Sequence, residues 1–292
     1  MNGIIIINKP IGFTSQDVVS KVKKILNEKK AGHTGTLDPM ATGVLPVLLG
    51  DATKLSKYLI EHDKKYIATI QFGEKRDTGD IEGNVIEQSN KKVENKENVI
   101  EILKSFLGKS MQTPPKYSAI KINGKKLYEY AREAIDVEIP EREIEIFDIK
   151  LIEFNKENQK VKFEVKCSKG TYIRVLCEDI AKKLGTVGYM SSLNRVQVEE
   201  FFIEDSITFE KLEENKNNKD FLENNIVSVQ KVFKKLPNIK LNVRKEELYL
   251  NGVKLTFELE DGLYNIYTEE SKYIGLGIVK DKLLKRDVVI GN

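Results

Sequence analysis

The sequence predicts an α+β chain: a mixed, mostly antiparallel sheet carrying helices, followed by a small C-terminal part rich in β-structure. Three observations carry that prediction. Period-two alternation runs through residues 65–72, 143–153 and 161–167, and amphipathic helical spacing runs through 14–26, 98–107 and 170–185. A polar, Asn-rich stretch at 213–225 then precedes strands joined by short turns. At 292 residues there is room for two cores.

The elements follow in order. The isoleucine run at residues 4–7 in MNGIIIINKP is too short for a signal-peptide core and lacks a basic leader, so it reads as a buried strand. In NKPIGFTSQDVVSKVKKIL, Thr14 and Asp17 fit a capping box. Val18, Val19, Val22, Ile25 and Leu26 then share one helical face, leaving Lys21, Lys23 and Lys24 on the rest. KYIATIQF sets Tyr66, Ala68, Ile70 and Phe72 against Lys65, Ile67, Thr69 and Gln71, a strand pattern. A second helix spans about 98–107 and stops at Gly108. QTPPKYSAIKINGKKLYEYAREA breaks the regularity with Pro114 and Pro115, turns at Asn123-Gly124, and carries three tyrosines among its lysines, so it reads as an excursion from the core. Residues 143–153 and 161–167 are expected to be adjacent strands joined by ENQK, and GTYIRVLCEDIAKKLG a helix ended by Gly185 with Arg174 near its first turn. EENKNNKDFLENN, residues 213–225, is the best linker candidate, and YNIYTEESKYIGLGIVKDKLLKRDVVI beyond it reads as a small all-β part.

Hydrophobic residues at 40% and charged residues at 32% describe a globular chain rather than a disordered or collagen-like one. The longest apolar run, VLPVLLG, falls far short of the roughly 20 residues that span a bilayer, so no membrane is expected and a cytoplasmic location is the default. Two cysteines, Cys167 and Cys177, and two histidines supply neither a disulfide framework nor a zinc site of the usual spacing, and the thiols are expected to be reduced. The net charge is only +3, but it is segregated. Residues 1–60 carry eight lysines against four acids and 109–132 six Lys/Arg against one acid, whereas 133–164 hold ten acids against five bases. Such segregation suits one face for a polyanion.

GHTGTLDPMATGVLP, residues 32–46, isolates one carboxylate, Asp38, among Gly, Thr and Pro. Three roles are open to it: turn former before Pro39, metal ligand, or catalytic group. Hard-cation loops draw several oxygens from a short stretch, and here Asp51 is the next acid, which weakens the metal role. Gly32, Gly35 and Gly43 allow close backbone approach, and Thr34, Thr36 and Thr42 offer hydroxyls, which suits a nucleophile or base on a rigid loop. The residues alone leave its substrate open.

GHTGTLDPMATGVLPVLLGDATKLSKYL resembles, nearly residue for residue, the signature of the TruB-type tRNA pseudouridine synthases. NKPIGFTS resembles that family's opening motif, KKYIATIQFGEKRDTGDIEG its second, TPPKYSAIKINGKKLYEYAREA its RNA-gripping insertion and SKGTYIRVLCEDIAKKLG its arginine-bearing motif, in the family's order across most of residues 3–200. The resemblance implies a catalytic domain at 1–225, with an RNA-binding insertion at 109–140, and a C-terminal PUA-like RNA-binding domain at 226–292. It implies Asp38 as the residue that initiates glycosidic-bond cleavage, Tyr66 as the tyrosine that stacks on the base and takes part in removing the C5 proton, and Arg174 as the partner of the carboxylate. Leu193 and Tyr172 would contact the base or substrate, His33 would hold the RNA open, Asp80 would lie near the site, and Lys9 counts among the substrate-binding residues.

The implied reaction turns uridine into pseudouridine at position 55 in the tRNA T-loop, by base flipping and with no cofactor and no metal. The expected partner is the tRNA T-arm, with no membrane, no obligate protein partner and a monomeric state. Asn8 stands where many members have Asp, Gly79 where many have Ser, and NRVQVEEFF where an Arg-Thr-x-x-Gly-type run is common. The rivals are a non-catalytic tRNA-binding module and the catalytic subunit of a guide-RNA particle. Uridine methylation is disfavoured, because neither Cys167 nor Cys177 sits in a Pro- or Gly-framed loop.

Overall fold

All four isoleucines at residues 4–7 are buried, at 0–2% exposure, which requires cover on both faces of their strand. The computed structural model describes residues 1–60, 62–133 and 135–291 and shows how that cover arises. In chain order come β1 (Gly3–Lys9), α1 (Ser15–Leu26), β2 (Ala31–His33), β3 (Thr42–Leu49), α2 (Ser56–Leu59) and β4 (Lys64–Phe72). The hairpin β5 (Glu74–Arg76) and β6 (Val85–Gln88) is followed by α3 (Lys96–Lys104) and β7 (Gly108–Gln112). Next are β8 (Lys121–Ile122), β9 (Lys125–Lys126), α4 (Leu127–Arg132), β10 (Arg142–Asn155), β11 (Lys160–Cys167), α5 (Ile173–Lys183), β12 (Gly188–Val198) and β13 (Phe201–Phe202). The chain closes with α6 (Phe209–Glu214), α7 (Lys219–Asn225), β14 (Ile226–Val227), β15 (Asn238–Leu241), β16 (Leu255–Thr256), β17 (Gly262–Thr268), β18 (Tyr273–Lys280) and β19 (Leu283–Val289).

A ten-stranded sheet runs β14-β1-β3-β12-β4-β11-β10-β7, with β2 on β3 and β13 on β12. Its pairings are antiparallel except for β3 with β12, which is parallel. The expected mixed, mostly antiparallel α+β fold is therefore the one observed. Ile5 and Ile7 face Val18, Val19 and Val22 of α1, while Ile4 and Ile6 face Leu55 and Leu59 together with Leu276 and Val288 of the second sheet. That second sheet, β15-β17-β18-β19-β16, begins at Asn238 and is the expected β-rich C-terminal part.

The capping box forms as the spacing requires: the Asp17 amide donates to Thr14 Oγ1 at 3.1 Å and the Thr14 amide to Asp17 Oδ2 at 2.9 Å. Tyr66, Ala68, Ile70 and Phe72 are the buried side of β4, and β10 and β11 pair as expected. The polar stretch 213–225 is not an open linker. Asn218 caps α7 by accepting from the Phe221 amide at 3.1 Å, and Phe221 and Leu222 pack against the α1 cluster. Local capping and two apolar anchors outweigh the Asn-rich composition.

Candidate active site

Asp38 lies on the loop between β2 and β3, and the opening motif pins that loop from beneath. Ser15 accepts from the Leu37 amide at 2.8 Å, and the Gly12 amide donates to the Pro39 carbonyl at 2.8 Å. The Lys9 ammonium, fully buried at 0% exposure, donates to the carbonyls of Pro10, Phe13 and Pro39. Burial lowers the Lys9 pKa to about 8, against the raising influence of Asp38. Lys9, expected among the substrate contacts, thus sits behind the loop and holds it in place. Gly43 closes the same loop at φ +106, where a β carbon would lie 2.2 Å from the Arg195 carbonyl oxygen. Only glycine fits there, because β3 and β12 come together at this point with Gly43 opposite Arg195.

Arg174, the second residue of α5, meets Asp38 side-on: Nε lies 3.0 Å from Oδ2 and Nη2 donates to Oδ1 at 3.5 Å. Its remaining hydrogens are committed as well. Nη1 donates to the Thr78 carbonyl at 3.0 Å and lies 3.6 Å from Asp80 Oδ2, while Nη2 donates to the Tyr117 carbonyl at 2.9 Å. The guanidinium is 6% exposed and Asp38 33% exposed, so the cation is locked inside and the carboxylate keeps one open side. Burial raises the Asp38 pKa above the ordinary carboxylate value; Arg174 lowers it, Asp80 raises it and Lys9 lowers it. Asp80 is itself held by Thr78 Oγ1 at 2.8 Å and the Glu82 amide at 3.1 Å, and is absent from the cavity wall.

The open side of Asp38 looks onto a cavity of about 790 Å³. Tyr66, Leu193 and Arg195 line it from the sheet, Tyr172 and Arg174 from the start of α5, and Tyr117, Ser118 and Tyr128 from the insertion. Its size falls in the range of small-molecule pockets, about 300–1,000 Å³. Tyr66 on β4 stands directly opposite Arg195 on β12, and Leu193, two residues before Arg195, pairs with Ala68. Burial pushes the Tyr66 phenol up to about 12, while the positive charge of Arg195 works against it. The Tyr172 amide donates to Gln112 Oε1 at 2.8 Å, which ties the start of α5 to β7, and burial raises its phenol pKa. His33 closes β2 outside the cavity wall; its Nδ1 accepts from the Gly35 amide at 3.3 Å, and burial lowers its pKa.

Asp38, Tyr66, Arg174, Tyr172 and Leu193 therefore share one cavity, while Lys9, Asp80 and His33 surround it. Arg195, which the sequence reading passed over, belongs on the wall. Its signal was present: it follows Leu193 by two residues on an alternating strand, so it must point to the buried side. Among the described residues no group of three or more His, Cys, Asp and Glu is placed to hold a metal ion. No helix of the described residues is long and apolar enough to cross a membrane.

A carboxylate and a phenol thus face one cavity, beside an insertion rich in lysine and tyrosine. Residues 23–173 match the TruB family pseudouridylate synthase N-terminal domain, and residues 174–234 match the tRNA pseudouridylate synthase B C-terminal domain. The chain is 44% identical over 278 residues to the tRNA pseudouridine synthase B of Hydrogenovibrio crunogenus, covering 95% of this chain and 89% of that one. It is 41% identical over 289 residues to the protein of the same name from Caldanaerobacter subterraneus subsp. tengcongensis, covering 98% of each. In fold it resembles, with a TM-score of 0.70 and 24% identity, a chain of an H/ACA RNP bound to a substrate RNA containing 2'-deoxyuridine, across 99% of this chain and 85% of that one. The chain belongs to the TruB family of pseudouridylate synthases.

Proposed function

We propose that this chain isomerises one uridine of tRNA to pseudouridine in the T-loop, at position 55, with Asp38 as the anionic group that meets the everted nucleotide. The observation that carries the reading is the Asp38–Arg174 pair at 3.0 Å on the wall of the cavity. Pseudouridine formation detaches uracil from C1′, turns it and rejoins it through C5, so the enzyme must hold a free base in a shielded pocket beside a carboxylate that stays ionised. Arg174 supplies the second condition, because a guanidinium in contact favours the anion that burial disfavours. Tyr66 and Leu193 offer faces for the base, Tyr172 a further substrate contact, and Tyr66 a part in removal of the C5 proton. Flipping a stacked base costs a few kcal/mol, and His33, beside the loop, is suited to hold the opened RNA.

The reading extends to the division of the chain. Residues 1–225 act as the catalytic domain, 109–140 as the insertion that grips RNA, and 226–292 as a PUA-like domain for the rest of the T-arm. The protein works in the cytoplasm, as a monomer, without cofactor or obligate protein partner. The test is mapping pseudouridine in unmodified, protein-free tRNA transcript after incubation with purified protein. Modification of a single T-loop uridine is expected, with Asp38→Asn abolishing product while tRNA binding is retained. Unchanged product formation in Asp38→Asn overturns the mechanism, and inactivity on free transcript turns the reading toward a subunit of a guide-RNA particle.

A further inference from the structure

We propose that Gln112 is a positioning residue of this reaction: from the end of β7 it holds the first peptide of α5 where Arg174 can reach Asp38. The inference rests on the function proposed above and adds a residue to it.

Gln112 is 5% exposed. Its Oε1 accepts from the Tyr172 amide at 2.8 Å, and its Nε2 donates to the Tyr172 carbonyl at 3.1 Å. One side-chain amide thus exchanges two hydrogen bonds with one residue, as a paired strand residue would. Tyr172 is the N-cap of α5, with extended backbone at φ −94 and ψ 109 and no capping bond from its own side chain. A tyrosine has no short side-chain oxygen to offer the first turn, unlike Ser, Thr, Asp or Asn. The start of this helix is therefore fixed from 60 residues away. The same Tyr172 carbonyl still takes the first helical bond, from the Leu176 amide at 3.1 Å.

Arg174 stands two residues beyond that peptide. Its Nε lies 3.0 Å from Asp38 Oδ2, and its Nη2 donates to the Tyr117 carbonyl at 2.9 Å. Gln112 and Tyr117 belong to one segment, QTPPKY, joined through Pro114 and Pro115, whose fixed φ limits how far the two can shift against each other. One short strut therefore grips α5 twice, at the Tyr172 peptide and at the guanidinium. A side-on guanidinium–carboxylate contact depends on geometry, so a helix start that shifts weakens it. The charged groups that act on Asp38 are Arg174 of α5, Asp80 of the β5–β6 turn and Lys9 of β1. Glu82 of the same turn, Tyr66 of β4 and Tyr172 feel its charge in return. Gln112 carries no charge and touches none of these side chains, so it acts on Asp38 only through where it puts Arg174.

A double-mutant cycle tests this, with single-turnover pseudouridine formation on unmodified tRNA as the readout. Gln112→Met keeps the length of the side chain and loses both hydrogen bonds. On the acid limb of the rate profile it is expected to slow the parent protein about threefold or more, moving the limb to higher pH with tRNA affinity unchanged, and to cause almost no further loss in an Arg174→Met background. Equal fold-losses in both backgrounds, an acid limb that stays in place, or a loss of affinity that accounts for the slower rate overturn the proposal. Where Gln112→Met does not fold, Gln112→Asn, one methylene shorter, decides by the same cycle: loss confined to the background with Arg174 supports it, and equal loss overturns it. A carboxyl ¹³C NMR titration of the RNA-free protein, with the Asp38 signal assigned by Asp38→Asn, reads the same displacement without turnover. A midpoint that rises in Gln112→Met supports the proposal and an unmoved one overturns it, whereas a parent protein that makes no pseudouridine defeats the proposed function instead.

Discussion

Replacing Arg174 by methionine removes the counter-charge of Asp38 at little change in volume. With Nε and Oδ2 separated by 3.0 Å, two unit charges at an effective dielectric of 20 attract by about 5 kcal/mol, an upper limit. Asp38 keeps 33% of its side chain exposed, and solvent screening at such a site reduces the attraction to about 1 kcal/mol. Its loss moves the Asp38 pKa upward. Burial and Asp80 already raise the Asp38 pKa, and removing Arg174 takes away the principal lowering influence. The carboxyl then stays protonated to higher pH, so the acid limb of the rate profile moves to higher pH and activity recovers in part on the alkaline side. Single-turnover pseudouridine formation between pH 5 and 9, at saturating enzyme, reads this directly. A limb that stays in place while the rate is uniformly scaled down, or one that moves to lower pH, refutes the reasoning.

Asp80→Asn in the same assay shifts the acid limb of the residual activity the opposite way, because the Asp80 charge raises the Asp38 pKa. Gly43→Ala places a β carbon 2.2 Å from the Arg195 carbonyl at φ +106, and a loss of about 2 kcal/mol or more is expected in the urea-unfolding free energy. Lys121 is exposed on the insertion, and if it contacts a phosphate, Lys121→Ala lowers the slope of log affinity for tRNA against log salt by about one. An unchanged slope removes Lys121 from the RNA contact.

Strands with strict alternation were legible because period two survives burial on one face: Tyr66, Ala68, Ile70 and Phe72 all turn inward. The capping box at Thr14 was legible because both partners lie within four residues. What sequence reading lacked was any way to see groups brought together across the chain. Arg174 stands 136 residues from Asp38, and the two were paired beforehand only through resemblance to a family. Arg195 was obscured for the opposite reason: it lies in the NRVQVEEFF run, which departs from the common family pattern. An arginine on the inward phase of a central strand is itself a strong signal, since such a charge needs a purpose. Lys9 shows the converse, for its position in the opening motif did not reveal that its ammonium is buried against the carbonyls of Pro10, Phe13 and Pro39. Helix α7 replaced the linker expected at 213–225 because two apolar residues, Phe221 and Leu222, found a neighbouring cluster that composition could not reveal.

The double-sided burial of β1 bears on how the protein is made. Its isoleucines are made well before the residues that cover them, for one face of the strand is sealed by Leu276 and Val288 and one edge by Ile226 and Val227. Until those later residues are made, this short, uncharged, β-prone segment remains sticky, the kind of stretch that seeds aggregates. Nascent-chain chaperones should therefore matter more to the yield of this enzyme than to its turnover.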